Sequence, residues 1–286
     1  MKNKYALIGE KLGHSYSPII HNMIFERFQI DGQYSLIEVP RNNILEVVKK
    51  LKSEELSGIN ITIPYKTDII EYLDKVSEEA KQIGAVNTVI SKGGKLIGYN
   101  TDYYGFKMII TKLKLEIKNK KNFICGAGGS ARAVIKCLED LDGENYLVTR
   151  DIEKARINFK SFQNLNIISY NELGSISDKN LIVNCTPCGM YPNIEFSILD
   201  EEEKKEYRAG IDLIYNPQKT KFLDGFEIGE NGLLMLVGQA VKAEEIWQER
   251  DMSEDDIQEI YEKIKELIYK KKKGGENGNI SQKVKR

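Results

Sequence analysis

Near the middle of the chain an apolar run ending in Phe123, Ile124 and Cys125 meets Gly126-Ala127-Gly128-Gly129-Ser130-Ala131. Apolar residues then recur at Ala131, Val134, Ile135, Leu138 and Leu141. A buried run, a glycine cluster and a helical period read as strand, tight turn and helix. Glycine at 126 permits the turn, glycine at 128 lets backbone amides approach a pyrophosphate, and a small residue at 131 lets the helix lie close to the strand. The first amides of that helix lack partners within it, and its aligned peptide dipoles leave this end partly positive. An anion is therefore held there, and the segment predicts dinucleotide binding at residues 126–130.

The same logic extends along the chain. Short, bulky apolar runs at 122–125, 145–149, 166–169, 181–184 and 209–214 fit parallel strands buried on both faces, with helices between most of them. Ahead of this series lies a separate alternation. It comprises a strand at 4–9, a helix with Ile20, Ile24 and Phe28 on its apolar face, and a strand at 34–39. A helix through Ile44, Val47, Val48 and Leu51 follows, then a strand at 58–63, a helix after Pro64 and a hairpin at 86–99 turning at Gly93-Gly94. Helical periodicity returns at Val241, Ile246 and Trp247 and again at Ile257, Ile260, Ile264, Leu267 and Ile268. Helices after the last strand can pack back on the first lobe, leaving a cleft between two domains.

A chain of 286 residues with 41% hydrophobic content suggests about two globular domains. The net charge of −1 is unevenly spread. Lys270, Lys271, Lys272, Lys273, Lys283, Lys285 and Arg286 face only Glu276, so residues 270–286 carry +6 and residues 1–269 carry −7. There, Gly274, Gly275, Gly278 and the polar residues around them give no aromatic or apolar partner for specific docking, so the tail reads as a solvated, disordered end, predicting no nucleic-acid partner. The first residues are charged and no stretch approaches a membrane span, which predicts a cytoplasmic protein without a membrane partner. Cys125 and Cys137 fall on a buried strand and a helix, where a reduced thiol behaves as a small hydrophobe. Cys185 and Cys188 have CxxC spacing, but a metal needs two further ligands, and the histidines, His14 and His21, are distant in sequence. No metal site is expected.

In the first lobe the chemistry lies in loops. Residues 9–22 read GEKLGHSYSPIIHN, with Ser15 and Ser17 just before a helix that starts at Pro18. Two hydroxyls there can grip a carboxylate, or Ser17 can cap the helix. His14 and His21 read as structural histidines, since neither has an obvious acid or nucleophile beside it. Residues 58–66 read GINITIPYK and leave Lys66 at the mouth of the sheet, where neighbours that desolvate a lysine can turn it into a general acid or base. Residues 98–105 read GYNTDYYG, with Asp102 after a strand and before a helix. Asn100 or Asp102 can cap that helix, or Asp102 can form a proton-transfer pair with Lys66.

From about residue 4 to residue 269, HSYSP, NITIPYK, GAVNT, GYNTD, GAGGSARA, NCTPCGM at 184–190, DLIYNP at 212–217 and NGLLMLVGQA at 231–240 follow in an order that resembles shikimate dehydrogenase. The resemblance implies an α/β substrate-binding lobe over 1–102, completed by 239–269, and a Rossmann-type, doubly wound NADP-binding lobe over 103–238, with the closing helices returning to the first lobe. The implied activity is NADPH-dependent, reversible reduction of 3-dehydroshikimate to shikimate on the route to chorismate and the aromatic amino acids. On the matching positions, Ser15 and Ser17 are expected to hold the substrate carboxylate, while Thr62, Asn87, Asp102, Tyr215 and Gln239 bind its hydroxyls and ring. Lys66 is expected to donate and accept the proton. For the cofactor, the resemblance implies Gly126, Ala127, Gly128, Gly129 and Ser130 at the pyrophosphate, Thr186 and Leu213 nearby, and Gly232 beside the nicotinamide.

Cofactor choice turns on Thr149-Arg150-Asp151 and Lys154. Arg150 and Lys154, after Thr149, match the basic residues with which the family grips the additional phosphate of NADP. Family members more often show Asn, Arg and Thr where this chain has Thr149, Arg150 and Asp151, and Thr or Ser at Cys185. An acid about twenty residues beyond a glycine turn is also what NAD enzymes use on a ribose hydroxyl. NADP is the expected cofactor, with NAD as the alternative. The competing enzyme reading is an NAD-dependent quinate/shikimate dehydrogenase. A non-catalytic nucleotide sensor would be expected to have lost Lys66 or Asp102, and both are present. The expected assembly is a homodimer or a monomer.

Overall fold

In the computed structural model, residues 3–13, 15–41 and 43–270 are described. His14, and the reading of the chain beyond Lys270 as a loose basic tail, lie outside them. The first half holds β1 (Asn3–Gly9), α1 (Ser17–Phe28), β2 (Gly32–Glu38), α2 (Ile44–Lys52), β3 (Gly58–Ile61), β4 (Lys75–Val76), α3 (Glu78–Ile83), β5 (Thr88–Lys92) and β6 (Lys95–Tyr99). These strands make one six-stranded sheet in the order β2-β1-β3-β5-β6-β4. It is mixed: β1 is parallel to β2 and β3, while β5 runs antiparallel to β3 and β6.

After α4 (Asp102–Leu113) come β7 (Lys121–Cys125), α5 (Gly129–Glu139), β8 (Glu144–Val148), α6 (Ile152–Asn158) and β9 (Leu165–Ile168). Then follow β10 (Lys179–Asn184), α7 (Glu201–Lys204), β11 (Tyr207–Asp212), β12 (Gly229–Asn231), α8 (Leu233–Gln248) and α9 (Glu254–Lys270). The second sheet has the order β12-β11-β10-β7-β8-β9, and every pairing in it is parallel. Its order reverses at β7, so the crevice at the carboxyl ends of these strands opens where the glycine turn leaves β7. Phe123, Ile124, Cys125, Leu147, Val148, Leu181, Ile182, Val183, Ala209 and Ile211 are buried, as strands covered by helices on both faces require.

α8 packs against α4 and α1 and touches β5, so the chain returns to the first lobe. Two glycines bring α4 and α8 into contact. A Cβ on Gly105 would stand 2.4 Å from the Met235 carbonyl oxygen, and one on Gly238 would stand 2.5 Å from Met108 Sδ. Among the described residues no helix is long and apolar enough to cross a membrane.

Three local expectations are corrected. The stretch after Pro64 forms turns and a short 3-10 segment, Asp68–Tyr72, rather than an α-helix, and β3 stops at Ile61. β4 and β12, two and three residues long, are too short to show an alternating pattern. α8 begins eight residues before Val241. Leu233, Leu234, Met235, Val237, Ala240, Val241, Ala243 and Trp247 are all buried in it, and a helix covered on several sides has no polar stripe to set its period.

Candidate active site

Lys66 sits on a turn held from both sides. The Tyr65 side chain is buried and its hydroxyl donates to the Val39 carbonyl at 2.5 Å, while Val86 N–H donates to the Lys66 carbonyl at 2.7 Å. With the backbone fixed, Lys66 Nζ donates to Asp102 Oδ2 at 2.6 Å. The two side chains are 14% and 10% exposed, so the ammonium lies in a largely desolvated site rather than in bulk water. Asp102 is the first residue of α4, where a negative charge is favoured by the helix dipole. Asn87, just before β5, donates to Asp102 Oδ1 at 2.9 Å. The carboxylate thus accepts on both oxygens, and a hydrogen-bonded pair of this kind can be desolvated at tolerable cost.

Side-chain capping explains neither Asp102, Asn100 nor Ser17. The N-cap of α4 is Thr101, without a side-chain cap bond, and Asn100 Nδ2 instead donates to the Ala85 carbonyl at 2.9 Å. Ser17 is likewise inside α1, whose N-cap is Tyr16. Ser15 Oγ accepts from Ser17 N–H at 3.2 Å and lies 3.1 Å from Ser17 Oγ, so the two hydroxyls form one adjacent pair. Tyr16, between them in sequence, meets Tyr215 of the second lobe edge-on with ring centroids 6.0 Å apart. Burial raises the Tyr215 phenol above its ordinary value and keeps it a neutral donor. Thr62 is half-buried after β3, with its N–H given to Ile8. Gln239, on α8 beside Gly105, donates to the Leu236 carbonyl at 2.9 Å. The expectation that His21 has no acid near it does not hold. Glu244 of α8, 223 positions away, lies 2.6 Å from His21 Nδ1, and the imidazole stacks on Tyr34 with centroids 3.9 Å apart.

A cavity of about 240 Å³ separates Ile63, Pro64, Lys66, Thr67 and Ala85 of the first lobe from Ala127, Gly128, Gly129, Arg132 and Asn158 of the second. Lys66 reaches across it: a Cβ on Gly129 would lie 3.6 Å from Lys66 Cδ. Gly126 has φ +99°, a backbone conformation that favours glycine, and a Cβ there would stand 2.7 Å from Thr186 Cγ2. Gly128 is the N-cap of α5 with no side-chain cap bond, and the space a Cβ would take there is open. The first amides of a helix lack partners within it, and such amides facing an open cradle fit a pyrophosphate. Ala127 and Ser130 complete this turn, and Ala131 is fully buried beneath it.

At the end of β8, Thr149 is buried, while Arg150 and Lys154 are exposed. Asp151, the residue that left cofactor choice open, is the N-cap of α6: its Oδ1 accepts from Lys154 N–H at 3.0 Å. In the loops after β10 and β11, Thr186 Oγ1 donates to Asn184 Oδ1 at 2.7 Å and Leu213 N–H donates to the Asn184 carbonyl at 3.0 Å. Gly232 N–H donates to the Ile214 carbonyl at 3.2 Å and opens α8. Asp212 ties these loops together. Its Oδ1 accepts from Asn184 Nδ2 and from Ile214 N–H, both at 3.0 Å, and its Oδ2 accepts from Thr220 Oγ1 at 2.5 Å. Burial raises its carboxyl from 3.8 to about 6. Burial likewise pushes the thiols of Cys125, Cys137, Cys185 and Cys188 up, which makes them poor nucleophiles and metal ligands.

Arg132 lines this cavity, and Asn60, Thr88, Thr101 and Asp212 are hydrogen-bonded to the groups around it; all five escaped the sequence reading. Arg132 bridges the lobes, donating to the Ile83 carbonyl of α3 at 3.1 Å and to the Asn158 carbonyl, with its guanidinium 4.8 Å from the Phe159 ring centroid. For Asn60 and Asp212 a signal existed. A polar side chain at a strand position flanked by apolar ones, as in Ile59-Asn60-Ile61, is a buried group that requires a partner.

The model of the shikimate dehydrogenase substrate binding domain matches residues 7–89. A shikimate dehydrogenase (NADP(+)) of Clostridium perfringens is 47% identical over 266 residues, covering 91% of this chain and 98% of that protein. The structure of a chorismate mutase/shikimate 5-dehydrogenase fusion protein from Clostridium acetobutylicum superposes with a TM-score of 0.88 at 42% identity, covering 94% of this chain and 99% of that one. Shikimate 5-dehydrogenase from Thermus thermophilus, in complex with NADP(H) and shikimate, gives a TM-score of 0.80 at 29% identity, covering 91% of this chain and 99% of that one.

Proposed function

Because the chain belongs to the shikimate dehydrogenase family, we propose that it catalyses the reversible, NADPH-dependent reduction of 3-dehydroshikimate to shikimate, with Lys66 and Asp102 moving the proton. The observation that carries this reading is the Lys66–Asp102 ion pair, 2.6 Å long, lying against the glycine turn of the other lobe.

Hydride for the substrate carbonyl comes from the reduced nicotinamide when NADPH is bound. The residues that would hold that cofactor are Gly126 to Ser130 at the pyrophosphate, Thr149, Arg150 and Lys154 at the additional phosphate, and Thr186, Leu213 and Gly232 at the nicotinamide end. As negative charge grows on the substrate oxygen, Lys66 Nζ gives it a proton; in the reverse direction Lys66 takes the proton back. Asp102 aims the ammonium and balances its charge. Ser15 and Ser17 grip the carboxylate at the far end of the ring, and Thr62, Asn87, Tyr215 and Gln239 contact its hydroxyls, so that binding energy there aligns the reacting carbon. Asp151 does not argue for NAD, since its carboxylate caps α6.

The assignment of 1–102 with 239–269 to the substrate lobe and 103–238 to the nucleotide lobe is part of the same proposal. It is supported by the division of the strands, β1 to β6 in one sheet and β7 to β12 in the other. The test is an assay of the purified protein with shikimate and either NADP or NAD, followed at the absorbance of reduced nicotinamide. Turnover with NADP is expected; no turnover with shikimate and either cofactor would refute the reading.

A further inference from the structure

A chain of buried side-chain hydrogen bonds runs beneath the proposed substrate site, and one backbone N–H fixes its direction. Thr101 N–H can only donate, and it donates to Asn87 Oδ1 at 2.7 Å. The Asn87 amide nitrogen therefore faces the other way, donating to Asp102 Oδ1 at 2.9 Å and Thr101 Oγ1 at 3.0 Å. Asn87 Oδ1 has one lone pair left, and the hydroxyls of Thr88 and Thr101 stand 3.1 and 3.2 Å from it. These two hydroxyls are 3.2 Å apart, so whichever fills the lone pair, the other closes the triangle. Thr88 Oγ1 also accepts from Asn60 Nδ2 at 3.0 Å. Asn60 Oδ1 in turn accepts from the Tyr34 hydroxyl at 2.8 Å.

The donors thus point one way, from Tyr34 through Asn60, Thr88 and Asn87 to the carboxylate that holds Lys66. Thr88 and Thr101 are fully buried, and Asn60 and Asn87 are 4% and 2% exposed. In such a low-dielectric setting each bond polarises the next, and one missing partner is felt along the chain.

We propose that Thr88 is a positioning residue for the reduction, acting through Asn87 to hold the Asp102 carboxylate, and hence the Lys66 ammonium, in line with the substrate oxygen. The proposal rests on the roles assigned above to Lys66 and Asp102. Thr88 itself is buried beneath the site, so its influence is on alignment rather than on substrate binding.

The test compares Thr88→Val, which keeps the shape and removes the hydroxyl, with Thr88→Ser, which returns it, using the full chain with shikimate and NADP. For Thr88→Val, kcat should fall about tenfold or more while KM for shikimate stays within about twofold. Thr88→Ser should lie within about threefold of the unchanged protein. Tyr34→Phe, which keeps the ring stacked on His21 and deletes a more distant link, should lower kcat in the same direction but less. An unchanged kcat in Thr88→Val, or a loss that Thr88→Ser does not restore, overturns the proposal. Should Thr88→Val fail to fold, Tyr34→Phe decides, and an unchanged kcat there overturns it. Lys66→Ala measured in parallel separates the two readings: turnover retained in Lys66→Ala defeats the role of the lysine, whereas an inactive Lys66→Ala beside an unimpaired Thr88→Val defeats only the role of Thr88.

Discussion

Lys66 and Asp102 stand 36 positions apart in the chain and meet at 2.6 Å, because the turn after β3 and the first turn of α4 open at neighbouring points of one sheet. The pair is charged, largely covered and held on its other side by Asn87. Replacing the carboxylate by an amide keeps the shape but removes the anion that aims the ammonium. Asp102→Asn is expected to lower kcat about a hundredfold with KM for shikimate changed less than about fivefold. Unchanged kinetics would mean that Asp102 serves only the fold.

Ser15 and Ser17 form a hydroxyl pair at the start of α1, where a carboxylate also gains from the helix dipole. Removing one hydroxyl takes away a contact made alike in the ground and transition states. Ser15→Ala should therefore raise KM for shikimate about tenfold and leave kcat within about threefold. An unaltered KM would move the carboxylate site elsewhere.

The motifs of the proposed active site were legible because each concentrates glycines, hydroxyls or charges in a few consecutive residues: HSYSP, NITIPYK, GYNTD and the glycine turn. The parallel sheet was legible for a similar reason, since buried strands such as Phe123 to Cys125 are apolar throughout. What escaped depends on contacts between distant segments. Nothing local to His21 points to Glu244, 223 residues on, and nothing local to Thr88 points to Asn60 across the sheet. Asp151 read as a ribose ligand or as a mere departure from the family; only the bond to Lys154 N–H identifies it as a helix cap.

That cap yields a prediction on cofactor choice. Asn is as good an N-cap as Asp, so Asp151→Asn should fold normally and shift the preference for NADP over NAD by less than about threefold. Arg150→Ala should instead cost at least about tenfold in kcat/KM for NADPH, with little effect on NADH. A large shift in preference in Asp151→Asn would mean that the carboxylate does read the ribose.

Asp212 predicts a dependence of stability on pH. Its carboxyl is buried, with hydrogen bonds from Thr220, Ile214 and Asn184, and burial raises its value from 3.8 to about 6. Between those values the folded state keeps a proton that the unfolded chain has lost. The group's contribution to stability is therefore full below the unfolded value and is lost as pH rises through the folded one. The loss is on the order of 3 kcal/mol. Asp212→Asn has no such proton, so its stability relative to the unchanged protein should increase between pH ~4 and pH ~7 by this order. Denaturant unfolding of both proteins across that range measures it, and a difference independent of pH would show that Asp212 carries no raised value.

The most direct test of the account is the turnover of Lys66→Ala in the NADPH-linked reduction of 3-dehydroshikimate, measured with its KM for that substrate. The expected result is a kcat about a thousandfold lower, with KM within about threefold of the unchanged protein. A kcat within about tenfold of the unchanged protein would contradict the assignment of Lys66 as the proton donor and acceptor.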